Sequence, residues 1–230
     1  MNRILPQDRA KIRQAGRIVK AVLDQMQASV RAGITTAELD RIAETVIRDH
    51  KAEPAFKGYH GYPASICASV NEEVVHGIPG DRIIKPGDLV SIDVGVRSQG
   101  YCGDAARTYL VESSDLESHK LLEVTQDALR RGIEQAVEGH TVGDVSYAVQ
   151  TVVEAGGFSV VRDFVGHGIG RNLHEEPQVP NFGQPHQGPV LVEGAALAIE
   201  PMVNAGIYQV DVLSNGWTVV TRDRKRSCHF

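Results

Sequence analysis

The chain repeats its own order of signals, and that repetition limits the folds open to it more than any other feature. Gly33-Ile-Thr35-Thr-Ala-Glu38-Leu resembles Gly139-His-Thr141-Val-Gly-Asp144-Val. His76-Gly-Ile-Pro-Gly80 resembles His167-Gly-Ile-Gly170, and Gly87 precedes Asp93 by the same six residues that separate Gly194 from Glu200. Three matches in one order imply two related halves, each built as helix, helix, His-Gly loop and acid-bearing strand. Such halves pair their sheets under a layer of helices and leave a cleft between them. That is an α+β architecture, and the cleft is the natural place for a site.

Local signals fill in this frame. Gln7 to Val30 carries Ile12, Ala15, Val19, Val22 and Met26 on one stripe and reads as a first helix, with Gly33 beyond its end. Thr35 and Glu38 form a capping box for a second helix reaching about Asp49, and Ser114 with Glu117 opens a third that lasts to Val137. A fourth, Asp144 to Ala155, stops at Gly156-Gly157. Strand-like runs cover Leu89 to Val96, Tyr101 to Val111, Ala195 to Ile199 and Trp217 to Thr221.

With 230 residues and 42% hydrophobic content, the chain can bury a large core, and no long linker divides it. The 24 Lys+Arg against 29 Asp+Glu give a formal charge of −5 without a broad basic stripe, which argues against a nucleic-acid role. Arg222, Arg224, Lys225 and Arg226 around Asp223 read as a solvated turn. Met1 to Lys11 is polar and lacks the apolar stretch of a signal peptide, and no run approaches the roughly 18 apolar residues of a membrane span. Cys67, Cys102 and Cys228 form neither an even framework nor a CxxC, so a reducing cytoplasm is the expected compartment.

Acids and histidines stand out against this background. Leu89 to Val96 leads through Arg97-Ser-Gln-Gly100 into Tyr101 to Tyr109, a hairpin with Asp93 on one strand and Asp104 on the other. If Ser98 and Gln99 are the central turn residues, Asp93 faces Asp104 directly. Like charges so placed repel, and a divalent cation between them would turn repulsion into ligation. The plainer reading puts both acids on the solvent face of an exposed hairpin. His167 sits in Phe164-Val-Gly-His-Gly-Ile-Gly170, where flanking glycines allow close approach of a metal or ligand, although a lone histidine there also suits a structural hydrogen bond. Glu200 ends the apolar run Ala195-Ala-Leu-Ala-Ile, either as a ligand or as a strand end in water. Two Asp, a Glu and a His form a donor set suited to Mn²⁺, Fe²⁺, Co²⁺ or Zn²⁺. His76 and His174 stand in similar loops and suit a general acid or an oxyanion stabiliser.

Val74-Val-His76-Gly-Ile-Pro, Ser91-Ile-Asp93-Val-Gly, Gly103-Asp104-Ala-Ala-Arg-Thr, Gly166-His167-Gly-Ile-Gly170, Leu173-His174-Glu-Glu-Pro177 and Ile199-Glu200-Pro, taken in order, resemble the motifs of type I methionine aminopeptidases. The resemblance implies the "pita-bread" α+β fold: one metallopeptidase domain over 1–230, with antiparallel sheet covered by helices and pseudo-symmetric halves of about 1–112 and 113–230. It implies removal of N-terminal methionine from nascent polypeptides, with a small second residue preferred. Asp93 would chelate one metal, Asp104 would bridge two, and His167 and Glu200 would hold the other. His76 and His174 would contact the scissile amide and its carbonyl oxygen, Glu200 would also shuttle a proton, and Tyr59, Tyr62, Cys67 and Trp217 would line the methionine pocket. The cofactors implied are two divalent ions (Co, Mn, Fe or Zn). The implied partners are nascent polypeptide N-termini and, by resemblance, the ribosome; the chain would be a cytoplasmic monomer without a membrane role.

Two positions depart from the family. A second Glu, after a Gln-Phe pair, bridges both metals there; here the stretch reads Ser227-Cys-His229-Phe230, so the Glu is not in the sequence and His229 stands for the Gln. The expectation is therefore a C-terminally truncated, impaired form with one tight metal at most and a poorly ordered or edge-exposed region after Trp217. Two rivals stand beside this reading: an Xaa-Pro type pita-bread aminopeptidase, and a non-catalytic pita-bread protein that binds peptide or ribosome.

Overall fold

The computed structural model describes residues 1–113 and 115–230. Four helices carry most of the apolar surface inward: α1 (Arg9–Ser29), α2 (Thr36–Asp49), α3 (Leu116–Gln135) and α4 (Val142–Ala155). The capping box expected at Thr35/Glu38 is formed, and a second one, not expected, stands at Thr141/Asp144; each threonine accepts from the third helical N–H and each acid returns to the threonine N–H. Ser114 lies outside the described residues, and the N-cap of α3 is Asp115, whose carboxylate accepts from Glu117 N and Ser118 N.

The two caps sit in matching surroundings. Gly33 N donates to Ile84 O and Ile84 N to Ile34 O; Gly139 N donates to Leu191 O and Leu191 N to His140 O. Thr35 bridges Ile83 as Thr141 bridges Val190. The repeat seen in sequence is thus a repeat of backbone hydrogen bonds that satisfy the otherwise orphaned first turns of α2 and α4.

The long hairpin Leu89–Ser98 and Tyr101–Leu110 divides its residues cleanly by period two. Val90, Ile92, Val94, Val96 and Tyr109 face α1 and α2 in one core cluster with Ile18, Val22, Met26, Leu39 and Ile47. The tie is close: Tyr109 OH donates to Leu23 O at 2.7 Å, and a Cβ on Gly103 would lie 2.9 Å from the backbone carbon of Ala15. Asp93 and Asp104 are on the other face.

The expected register needs correction. The central turn residues are Gln99 and Gly100, both with positive φ, rather than Ser98 and Gln99. Asp93 therefore pairs with Ala106, and Asp104 with Gly95. A shift of two keeps every side chain on its face, so the carboxylates become diagonal neighbours instead of directly opposed ones. The reason is turn chemistry: a two-residue loop that matches strand twist requires φ > 0 at both central positions, which Gly100 supplies freely.

All other pairings are also antiparallel. Cys67–Val70 lies beside Leu89–Ser98, with Cys67 opposite Asp93. Gly166–Gly168 runs between Glu175–Val179 and Leu197–Ala198, while Met202–Asn204 runs between Ser159–Val160 and Ser227–His229. Val219–Thr221 joins the two parts of the chain by pairing with both Val210–Val212 and Glu73–Val75. The region after Trp217 is accordingly not edge-exposed as expected: Thr218 to Thr221 and Ser227 to Phe230 are buried, held by these ladders and by Phe230 N donating to Pro201 O. Around them the basic turn is solvated as anticipated, with Arg222 on Asp211 and Arg226 on Asp115.

The chain's first residues cross to the second half. Ile4 N donates to Gly194 O at 2.7 Å, Asn2 Nδ2 to Glu175 Oε2 at 2.9 Å, and the buried Asp8 carboxylate lies 3.7 Å from Arg171, whose guanidinium stacks on Tyr101.

Candidate metal centre

Four side chains far apart in sequence meet where the hairpin's acidic face meets the strands of the second half. Asp104, His167 and Glu200 each offer a donor atom within 4.8 Å of the others. His167 Nε2 stands 3.1 Å from Glu200 Oε1 and 3.6 Å from Asp104 Oδ2, and Asp93 lies against Asp104. The ring of His167 is oriented by its other nitrogen, Nδ1, which donates to Gly168 O at 2.8 Å and turns Nε2 toward the carboxylates.

The flanking glycines work differently from the sequence reading. A Cβ on Gly166 would lie 2.3 Å from Ala198 O, and one on Gly168 2.4 Å from Glu176 O. They admit the neighbouring strands, which press in on both sides of His167, rather than a ligand.

The electrostatics of the cluster suit a cation. Burial, then the charges of Asp104 and Glu200, push the Asp93 carboxyl well up; burial likewise raises Asp104 despite its hydrogen bond to His167. Burial would lower His167, but Asp104 and Glu200 outweigh it and hold the imidazole at about 10. Glu200 goes down against its burial because His167 and His229 lie beside it, yet its buried Oε1 makes no hydrogen bond. A divalent ion fits this donor set: it would neutralise the paired aspartates and take up the orphaned oxygen.

Above the acids opens a cavity of about 460 Å³ whose lining includes Tyr59, Tyr62, Cys67, His76, His174 and Trp217, every remaining position singled out by sequence. Tyr62 is 3% exposed and its hydroxyl faces Ile66 O and Gly77 O, so only its ring, edge-on to Trp217, meets the cavity. Asp40 on α2 accepts from Ser65 N and Ile66 N, which ties this wall to the helix layer. His76, directly after the strand Glu73–Val75, has φ of 58°, and its ring packs edge-on to Phe164 and Trp217. His174 sits 4.2 Å, centroid to centroid, from His167, and its Nδ1 is 2.8 Å from Tyr59 OH. Burial and the neighbouring His167 lower His174 to about 4, so its ring is neutral at pH 7. The tyrosine hydroxyl then donates to Nδ1 and leaves Nε2–H as a free donor.

The model of metallopeptidase family M24 matches residues 10–224 of the sequence. The chain belongs to metallopeptidase family M24. This M24 peptidase is 54% identical over 219 residues to the methionine aminopeptidase of Clostridium perfringens, a match covering 95% of the chain and 88% of that protein. It is 50% identical over 225 residues to methionine aminopeptidase 1 of Bacillus subtilis, covering 98% and 91%. The crystal structure of methionine aminopeptidase from Thermotoga maritima superposes with a TM-score of 0.98 at 44% identity, over 100% of this chain and 93% of that one. Prolidase from Pyrococcus furiosus shares the fold alone, with a TM-score of 0.80 at 21% identity and 60% of its length covered. The pita-bread α+β fold expected from the motifs is the fold of this M24 peptidase.

Sequence reasoning left several lining residues of the M24 site unnamed. Phe56, Val75, Phe164 and Met202 also face the cavity, but in sequence they cannot be told from core residues. His229 was noted only as a departure, and it proves to be 1% exposed with Nε2 3.4 Å from Glu200 Oε2.

Proposed function

We propose that this M24 peptidase removes the N-terminal methionine of peptides and nascent polypeptides by metal-dependent amide hydrolysis. One observation carries the reading: a cluster of three acids and an imidazole forms the floor of a cavity whose wall is aromatic and sulfur-bearing. Tyr62, Cys67 and Trp217 form a soft slot that suits a thioether side chain. Asp93, Asp104, His167 and Glu200 would hold divalent ions, with Co, Mn, Fe and Zn all compatible with the donor set. Divalent ions held there would supply Lewis acidity to a water and to the scissile carbonyl.

The chain's own groups do the rest. Glu200 accepts the proton of the attacking water at its carboxylate and passes it to the leaving amine. His174 donates from Nε2 to the developing oxyanion, a role for which its neutral state and its Tyr59 contact prepare it. His76, held neutral by burial, contacts the scissile amide. Asp93 and the other acids meet the substrate's free ammonium, which restricts the reaction to chain ends. Asp104, His167 and Glu200 would give one ion three protein ligands, and Asp93 with Asp104 would reach a second from the hairpin. We read the chain as one domain whose halves meet near residues 112–113, supported by the paired capping networks, and as a cytoplasmic monomer able to act at the ribosome.

Two predictions test this assignment. Peptides beginning Met-Gly or Met-Ala release methionine faster than Met-Leu or Met-Lys, because a bulky second residue collides with the cavity mouth; release can be followed by amino-acid analysis. Equal rates across the series, or preference for Xaa-Pro, would move the assignment to the prolidase-like branch. In the same assay His174→Ala lowers kcat by roughly 10²–10³-fold, the effect of losing an oxyanion donor. Tyr59→Phe, which loses one hydrogen bond of about 1 kcal/mol, lowers kcat roughly fivefold with KM little changed. A Tyr59→Phe effect confined to KM would remove the tyrosine from this role.

A further inference from the structure

The strand Ser227–His229 brings one more polar group to the cavity than the mechanism uses. His229 is buried to 1% exposure, and its Nε2 makes no hydrogen bond of ordinary geometry. It stands 3.4 Å from Glu200 Oε2, while His167 Nε2 stands 3.1 Å from the other oxygen, Oε1. A histidine that served packing alone would have its nitrogens satisfied by the surrounding backbone. Here the unpaired nitrogen is aimed at one side of a carboxylate whose other side belongs to the metal cluster.

The backbone of His229 is fixed by the same hairpin that carries the aspartates. Thr108 Oγ1 accepts from His229 N at 2.9 Å and donates to His229 O at 2.8 Å. Ser91 Oγ lies 2.8 Å from Thr108 Oγ1 across the hairpin pair Ser91/Thr108, the next pair on the same face from Asp93/Ala106. Met202 pairs with His229 on its other side, two residues after Glu200. Imidazole, aspartates and glutamate therefore share one frame, and a small closure of the 3.4 Å gap completes the bond.

We propose that His229 is a positioning residue for the metal centre: its Nε2–H donates to Glu200 Oε2 and so directs Oε1 to the cation shared with His167 and Asp104. A carboxylate offers two equivalent oxygens. With His229 on one and the cation on the other, rotation about the Cγ–Cδ bond no longer exchanges them, and the ligand is organised before the ion arrives. This inference rests on the metal-centre reading above.

The test compares His229→Gln, which keeps an N–H donor, with His229→Leu, which keeps bulk without one. Mn²⁺ affinity is measured by calorimetry and metal-free stability by thermal melting. Glutamine is expected to bind Mn²⁺ within roughly threefold of the parent, and leucine roughly 10- to 100-fold more weakly, the usual cost of losing a partner behind a ligand. The metal-free leucine variant should melt below the metal-free glutamine variant, because it leaves Glu200 Oε2 without its donor. If leucine impairs folding, His229→Met makes the same comparison. Parent-like Mn²⁺ affinity in leucine or methionine, or equal losses in glutamine and leucine, overturns the proposal. Absence of Mn²⁺ uptake by the parent chain itself overturns the metal-centre reading and this one with it.

Discussion

Replacing His167 with alanine is expected to abolish tight binding of a divalent ion. The loss should exceed roughly 100-fold, since removing a group merely behind a ligand already costs roughly 10- to 100-fold. His167 is the cluster's only nitrogen donor among the described residues and lies within 3.6 Å of both Asp104 and Glu200. Without it, three half-buried carboxylates face one another, and an ion held there loses one of three protein ligands. Asp104→Asn should do comparable damage, because Asp104 also borders Asp93. Asp93→Asn should cost less, because Asp93 stands outside the Asp104–His167–Glu200 group and only borders Asp104. Titrating the purified variants with Mn²⁺ by calorimetry decides the order. Unchanged affinity in His167→Ala would move the ion away from the proposed position.

A second large effect concerns pH. In the metal-free protein, stability should fall as pH is raised from about 6.5 toward 10. His167 has a folded value of about 10 against an ordinary 6.5, so its contribution is complete below 6.5 and is lost as pH climbs through 10. Asp93 and Asp104 are shifted upward as well and lose stabilisation in the same direction. Glu200, shifted downward, acts the other way, but its window lies below its ordinary 4.5 and does not enter here. A saturating divalent ion reverses the trend by displacing those protons, and at 100 times its Kd it adds about 2.7 kcal/mol. Melting temperatures of chelator-treated protein at pH 6.5, 7.5 and 9, with and without Mn²⁺, should diverge with pH. His167→Asn should flatten the metal-free curve. A metal-free melting temperature that rises over this range would contradict the assigned charge states.

What could be read from the residues follows how local each signal is. Thr35/Glu38 specifies its helix through contacts three residues apart and forms its box as expected, while the Thr141/Asp144 box is the same local device in the second half. The hairpin was recognisable because its strands are ten residues long, yet its register turned on whether Gly100 sits inside or after the turn. The short strands that build the site left no such trace. Gly166–Gly168, Met202–Asn204 and Ser227–His229 are three residues each, too short for period two to register, and they are strands only because their neighbours are in place. The order of the final segment was misjudged for the same reason: its burial depends on Met202–Asn204 and on Thr108, more than a hundred residues upstream. His229 shows the limit most directly. Its chemistry is ordinary; only its distance from Glu200 gives it meaning.

The opening segment of the chain ends up beside the turn from which His174 projects. Glu175 accepts from Asn172 N through Oε1 and from Asn2 Nδ2 through Oε2, and Asp8 meets Arg171 on the same turn. Arg97 grips that turn from the hairpin side through the Arg171 carbonyl at 2.8 Å. The turn is therefore a keystone between two abutments, one of them made of residues that fray freely in most proteins. Fusing a bulky tag before Met1, or trimming the first residues, would loosen His174, the proposed oxyanion donor, while leaving the proposed metal ligands untouched. Preparations differing only at the amino end should then bind metal alike and turn over substrate differently.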